Sequence, residues 1–137
     1  MNLPSEDIKA ILVAAGLSLT FSTNLFIGLE PVAPTNCVTI YDTPGSKPNS
    51  TLSLAGRFIS KNENIYNPSI QIKVRNNSYV TGGILINQIK DVLHNLSNEV
   101  WGGTLYLLIQ CNQEPFSLGP DVNGKHQWVV NFEVARS

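Results

Sequence analysis

The sequence contains few of the residues that build disulfides, metal sites or strongly charged surfaces. It has two cysteines among 137 residues, too few for a disulfide framework or a cysteine-based metal site. Cys37 and Cys111 lie in apolar, strand-like runs, which predicts buried free thiols. Charged residues make up 14 %, against about 25 % in typical globular domains, and the net charge of −1 provides no overall attraction for nucleic acid or anionic membranes. Since 42 % of the residues are hydrophobic, disorder is excluded, and the low charge suggests permanent partners.

No stretch resembles a membrane span or a secretion signal. The longest apolar run near the N-terminus, residues 11–19, is interrupted by Gly16 and Ser18 and is shorter than the roughly 20 apolar residues of a membrane helix. Two acidic residues accompany the single cation Lys9, unlike the basic start of a signal peptide. We therefore expect no signal peptide and no membrane partner.

The length of 137 residues predicts one domain, 1–137, with two helices. Ser5 is the expected N-cap of the first helix, whose apolar residues recur at helical spacing until Gly16 ends it. The second helix is expected from about Val80 to Leu96 and has one apolar stripe.

Strands alternate with these helices, and a Gly-Gly turn at 102–103 predicts a hairpin. The first two strands are also most simply interpreted as a hairpin. The sequence therefore predicts an α+β fold, with two helices on a largely antiparallel sheet and a mixed sheet left open. The predicted strands are 25–29, 37–41, 69–75, 99–101, 104–111 and 127–135.

Residues 43–67 differ from the rest of the chain. Proline, glycine and asparagine punctuate the segment, which predicts a long irregular loop. Such loops are usually functional, and large apolar side chains embedded here need to leave water. We predict that this loop makes the principal partner contact, although folding back over its own sheet is the alternative. The candidate interface residues, including two cations of strand 69–75, are Leu52, Leu54, Arg57, Phe58, Ile59, Lys61, Ile65, Tyr66, Lys73 and Arg75.

Titratable side chains do not form a catalytic pattern. His94 and His126 lack other ligands at metal-site spacing and are interpreted as solvated or locally hydrogen-bonded. Glu6 and Asp7 fall in the first turn of the predicted helix, where they complement the helix dipole. Residues 121–124 resemble the start of a calcium loop without its later glutamate, so an Asn-Gly turn accounts for them. The sequence predicts no active site, no metal site and no cofactor.

Several blocks of the sequence have a familiar order. With them the chain resembles the minor capsid or tail-terminator (tail-completion) proteins of long-tailed bacteriophages. The blocks span nearly the whole chain, and each is a structural pattern. They are Asp7-Ile8-Lys9, Asn24-Leu25-Phe26-Ile27-Gly28, Cys37-Val38-Thr39-Ile40-Tyr41-Asp42, Tyr66-Asn67-Pro68-Ser69-Ile70-Gln71-Ile72, Trp101-Gly102-Gly103-Thr104, Pro115-Phe116-Ser117-Leu118-Gly119 and Trp128-Val129-Val130-Asn131-Phe132.

The resemblance implies a non-catalytic subunit of a homohexameric ring that caps the tail tube, stops its polymerisation and joins the head-completion or neck protein. It implies a location in the tail and neck of the virion, after assembly in the bacterial cytoplasm. A ring needs two different matching surfaces on each subunit, and the polar face of strand 69–75 and the exposed sheet edges are candidates. Genomic DNA in the lumen is expected to make at most weak, non-specific contact with Lys61, Lys73 or Arg75. A stopper protein or a tail-tube subunit is the alternative, and a small enzyme comes third.

Overall fold

The computed structural model describes residues 1–49 and 65–137. No helix in these two ranges is both long enough and apolar enough to cross a membrane. The elements are α1 (Pro4–Ala14), β1 (Leu25–Ile27), β2 (Cys37–Asn49), β3 (Ile65–Asn76), α2 (Tyr79–Leu93), β4 (Leu96–Trp101), β5 (Thr104–Cys111), β6 (Phe116–Pro120) and β7 (His126–Arg136).

The described strands form one seven-stranded sheet. Its order is β1-β2-β3-β7-β5-β4, and β6 pairs with the first part of β7, in line with β5. Every pairing is antiparallel except that of β1 with β2. The predicted α+β class is confirmed, and the sheet is of the mixed kind.

Both helices pack on one side of the sheet, which we call the helix face. Ile70, Ile72 and Val74 alternate along β3 and are fully buried on this side, as their period-two pattern predicts. Each fully buried large aliphatic side chain contributes about 1.5–3 kcal/mol. The other main core residues are Ile8, Ile11, Leu12, Val38, Ile40, Ile86, Ile89, Leu93, Ile109, Val130, Phe132 and Val134.

Helix α1 begins differently from the prediction. Pro4 is its first residue and Leu3 its N-cap, without a side-chain cap, so the expected capping role of Ser5 is wrong. Proline suits this position because the first helical N–H has no intrahelical partner. Ser5 Oγ instead donates to the Asp42 carboxylate at 2.7 Å, which ties α1 to β2. Gly16 has a φ of 75° and ends the helix as predicted.

Helix α2 is capped by Ser78, whose side chain accepts from the Thr81 N–H at 3.2 Å. It ends at Leu93, three residues before the predicted end, because His94 already has an extended backbone. Asn95 then takes a φ of 64°, which reverses the chain so that β4 can begin at once. The Gly-Gly hairpin between β4 and β5 is present as predicted.

The predicted hairpin of the first two strands is wrong. β1 lies parallel to β2, with Leu25 opposite Val38 and Ile27 opposite Ile40. The intervening loop, residues 28–36, therefore returns to the starting end of β2 instead of making a tight turn. Such a short return suffices because a three-residue strand is only about 10 Å long.

Strand pairing continues into the segment that the sequence predicts to be irregular. Ser46 lies opposite Asn67 and Asn49 opposite Ile65, and two register shifts absorb the prolines and glycine without ending the pairing. The irregular loop is thus not present at 43–49 or 65–67. Residues 43–49 and 65–69 together are called the arm below, and residues 50–64 lie outside the described part of the chain.

Gly45 makes this irregular pairing possible. It lies at the first register shift, where the two backbones approach so closely that a Cβ atom would lie 2.1 Å from the Asn67 carbonyl oxygen. Since that neighbour is backbone, the clash could not be relieved by a side-chain rotation. The arm therefore requires glycine at this position.

Strand β6 is absent from the prediction, which treats the region before β7 as a turn-rich link. It is five residues long, and Phe116 lies opposite Val129. Pro115 and Pro120 flank it, and this punctuation is what hides a short strand from a pattern-based prediction.

Candidate assembly surface

The side of the sheet opposite the helices, called the open face, has a neutral polar centre. Residues that pair across strands share a face, so the register places Tyr41, Gln71 and Asn131 in one row. All three are half-buried, and Gln71 Nε2 donates to Asn131 Oδ1 at 3.0 Å. Burial, followed by the nearby Glu30 carboxylate, raises the pKa of the Tyr41 phenol, which keeps this row uncharged.

A groove of about 260 Å³ lies at the arm end of the open face. Ser69, Glu133 and Gln110 lie side by side on β3, β7 and β5, and Glu133 and Gln110 are exposed. No described residue pairs with the Glu133 carboxylate, which is the only charged group of the groove. The lining residues are Ser46, Asn67, Pro68, Ser69, Leu108, Gln110, Glu133, Val134 and Ala135.

The opposite end of the open face is covered by loop 28–36, which Arg75 holds in place. Arg75 is 7 % exposed, and its Nη1 lies 2.9 Å from Glu30 Oε1. Lys73 Nζ lies 3.2 Å from the other oxygen of the same carboxylate. The remaining Arg75 N–H groups donate to loop carbonyls, at 3.0 Å to Thr35, 2.6 Å to Pro31 and 2.8 Å to Pro34.

This anchored loop presents apolar side chains to solvent. Leu29 is 77 % exposed and Val32 is 97 % exposed. Because Arg75 fixes the surrounding carbonyls, these side chains are held out rather than free to fold back. The loop is therefore a second candidate contact surface, at the end of the sheet away from the arm.

The free edges of the described sheet are poorly suited to pairing with another strand. Edge strand β4 contains Asn98 with a φ of 55°, followed by the exposed Glu99, and a left-handed residue and a charge both disfavour strand addition. β6 contains a register shift at Gly119 and ends on Pro120.

The edges on the other side of the sheet have similar features. β1 is three residues long, and Phe21 bridges to Leu25 along its outer side. Beyond the β1 pairing, β2 contains Pro44 and Pro48, neither of which has an N–H to donate. These features argue against the predicted use of sheet edges between copies, and leave the open face, the arm and loop 28–36 as surfaces for side-chain contact.

The structure brings together only some of the predicted interface residues. Ile65 and Tyr66 are half-buried in the arm, at its outer end. Lys73 and Arg75 share the Glu30 carboxylate and are therefore not free surface cations. Six further candidates lie outside the described residues: Leu52, Leu54, Arg57, Phe58, Ile59 and Lys61. The interface role of all ten stays a prediction.

The histidines and the 121–125 turn have local structural partners. His94 Nδ1 lies 3.1 Å from the Cys111 amide nitrogen and so accepts its N–H, while His126 packs edge-on against Tyr79. Asp121 accepts the N–H groups of two turn residues, which lowers its pKa and is what an Asn-Gly turn requires. In the described ranges no three His, Cys, Asp or Glu side chains gather as metal ligands.

The two thiols differ in their surroundings. Cys37 is free and 3 % exposed, as predicted, and burial raises its pKa, partly opposed by the nearby Arg75. Cys111 is also free but only half-buried, so its predicted burial is incomplete. Its position at the end of β5, next to the solvent-exposed His94, accounts for the difference.

A buried polar cluster, which the sequence analysis missed, joins α1 to β5 and β7. Asp7 is 2 % exposed and accepts a hydrogen bond from Tyr106 Oη at 2.5 Å. Arg136 Nη1 lies 3.9 Å from the same carboxylate and donates to the Asn2 carbonyl at 2.8 Å. Asp7 therefore acts within the core, beyond its predicted role at the helix dipole. The available signal was Arg136, a cation that continues the buried side of β7.

Tyr106 makes stability depend on alkaline pH. Burial, followed by its hydrogen bond to Asp7, raises the pKa of the phenol far above 10. In the unfolded chain the phenol ionises near pH 10, so above that pH the folded state holds more protons and stability falls. We expect Tyr106→Phe to flatten this fall by up to about 1.4 kcal/mol per pH unit, measured by denaturation between pH 9 and 11. An unchanged slope would contradict a buried, protonated phenol.

A family model now places this fold. The model described as "Bacteriophage tail terminator protein" matches residues 12–137. The chain belongs to this family. The predicted resemblance is therefore confirmed, and the tail terminator described here is a structural protein of the phage tail. The chain has no match among curated proteins.

Solved structures share the fold of this tail terminator at low sequence identity. A chain from a structure titled "Virion of native gene transfer agent (GTA) particle" superposes with a TM-score of 0.59 at 11 % identity, covering 98 % of this chain and 94 % of that one. A second solved chain has a TM-score of 0.52 at 13 % identity, with coverage of 99 % and 97 %. At these identities the likeness establishes the fold alone.

Proposed function

We propose that the protein forms a homohexameric ring that closes the tail tube, stops its polymerisation and joins the tail to a head-completion or neck protein. The family match over residues 12–137 carries the proposal. A closed ring needs heterologous contacts between two different surfaces of each subunit. The grooved open face and the arm are two such surfaces, and loop 28–36 is available for a tube or neck partner.

The proposed location is the tail and neck of the virion, after assembly in the bacterial cytoplasm. The virion title of the matched gene transfer agent structure supports the first part of this statement. Closing a tube and joining two particles requires binding surfaces and no catalysis or cofactor. Genomic DNA would pass through the ring with at most weak, salt-sensitive contact, which agrees with the pairing of Lys73 and Arg75 to Glu30.

The test is to stop translation of this gene early in the phage that encodes it and to examine lysates by electron microscopy. We expect tails of uncontrolled length without heads, because nothing ends tube growth. Supplying the wild-type protein from a plasmid should restore tails of one length joined to heads, and these should contain six copies of the 15.0 kDa subunit per tail.

Other outcomes of this experiment would overturn the proposal. Headless tails of normal length would instead indicate a stopper protein, and a complete lack of tails would indicate a tube subunit. Normal particles would show that the protein has no required role in tail assembly.

A further inference from the structure

The groove at the arm end of the open face has an unusual composition for a surface without a partner. Glu133 is exposed and unpaired among the described residues, while the neighbouring groove residues are neutral and include the apolar Leu108, Pro68 and Ala135. A carboxylate beside apolar surface suits a segment that brings a cation together with apolar side chains, since both terms then favour binding.

The chain itself contains such a segment. Residues 50–64 include Arg57 and Lys61 against one acid, and the apolar Leu52, Leu54, Phe58 and Ile59. Because the whole chain has a net charge of −1, the remainder is net acidic and therefore complementary to this segment. Building on the proposed ring, we infer that residues 50–64 of one copy bind in the Glu133 groove of the next copy.

The arm geometry favours a neighbouring copy over the same chain. The groove begins at Ser46 and Asn67, whereas the paired strands continue past it to Asn49 and Ile65. The segment thus leaves the body at a point beyond its own groove. Arm and groove are also two different surfaces repeated once per subunit, which is the arrangement that closes a ring. The sheet edges, which could otherwise join copies, are obstructed as described above.

Charge reversal tests this contact in the complementation experiment described above. We expect Glu133→Lys to reduce the number of joined particles at least about tenfold, the effect of losing about 1.4 kcal/mol of binding. Combining it with Arg57→Glu and Lys61→Glu should restore most of the loss, because the charges are then exchanged. Asp91→Lys, at an exposed acid on α2, is the matched control and should leave particle numbers unchanged.

A cross-link decides which copy provides the segment. Glu133→Cys and Arg57→Cys are made in separate chains, each with Cys111→Ser, and coexpressed. A disulfide-linked dimer that requires both chains supports the contact. A disulfide within a chain carrying both cysteines, with none between chains, would overturn it. If loss of the gene alters tails but Glu133→Lys complements like wild type, the groove contact fails while the proposed function stands. If loss of the gene has no effect, the proposed function fails.

Discussion

Replacing Asp7 by alanine is expected to destabilise the protein by about 3–5 kcal/mol, the range seen when one partner of a buried ion pair is removed. The replacement takes away the acceptor of the Tyr106 hydroxyl at 2.5 Å and the carboxylate 3.9 Å from Arg136. Both remaining groups are buried, and water cannot replace the lost partner without opening the core. Urea denaturation at pH 7 measures the change.

The adjacent acid is the matched control. Glu6 lies in the same helical turn, is exposed, and pairs with Lys9 at 2.9 Å. Glu6→Ala removes the same charge near the helix N-terminus, so it is expected to cost about 0.3–1 kcal/mol. Equal losses for Asp7→Ala and Glu6→Ala would mean that the helix dipole explains both acids and that the buried cluster contributes nothing.

Replacing Arg75 by methionine is expected to cost about 3–5 kcal/mol and to release loop 28–36. Methionine preserves much of the apolar stem but leaves the loop carbonyls and one oxygen of Glu30 without their donor. Amide exchange within the loop should then accelerate, while exchange in β3 and β7 should change only with global stability. Hydrogen-exchange mass spectrometry separates these two effects.

Two further variants show whether the fork or the charge of Arg75 matters. Arg75→Lys preserves the charge but cannot reach several carbonyls at once, so it should resemble Arg75→Met. Lys73→Met removes the other cation that pairs with Glu30, and should cost less because Lys73 makes no described bond to the loop carbonyls. If Lys73→Met destabilised as much as Arg75→Met, the ion pairs would account for the whole effect.

Local patterns were enough to predict the elements whose causes lie within a few residues. The alternation of Ile70, Ile72 and Val74, the Gly-Gly hairpin and the end of α1 at Gly16 each depend on neighbouring positions. The α+β class follows from these elements. The parallel pairing of β1 does not, because a nine-residue connection can make either a hairpin or a return to the other end of a strand.

The candidate site was predicted less completely, because its residues act through distant partners. Asp7 and Tyr106 are 99 positions apart, and Arg75 contacts a loop more than 40 positions earlier. Nothing near Lys73 and Arg75 in the sequence shows that Glu30 neutralises them. Likewise, Glu133 alternates with buried residues as any surface position would, and only the cross-strand register places it in a groove.

The central place of β7 has a consequence for how the chain folds. β1-β2-β3 on one side and β4-β5 on the other are connected in the sheet only through this strand, which is the last of the described elements to be synthesised. Its partners in β3 are more than 50 positions away, so much of the sheet depends on contacts of high sequence separation, which slow folding. Until β7 inserts, the inner edges of β3 and β5 are unpaired and can pair with other chains instead. Newly made subunits are therefore most vulnerable to aggregation in the interval between synthesis of α2 and the docking of β7.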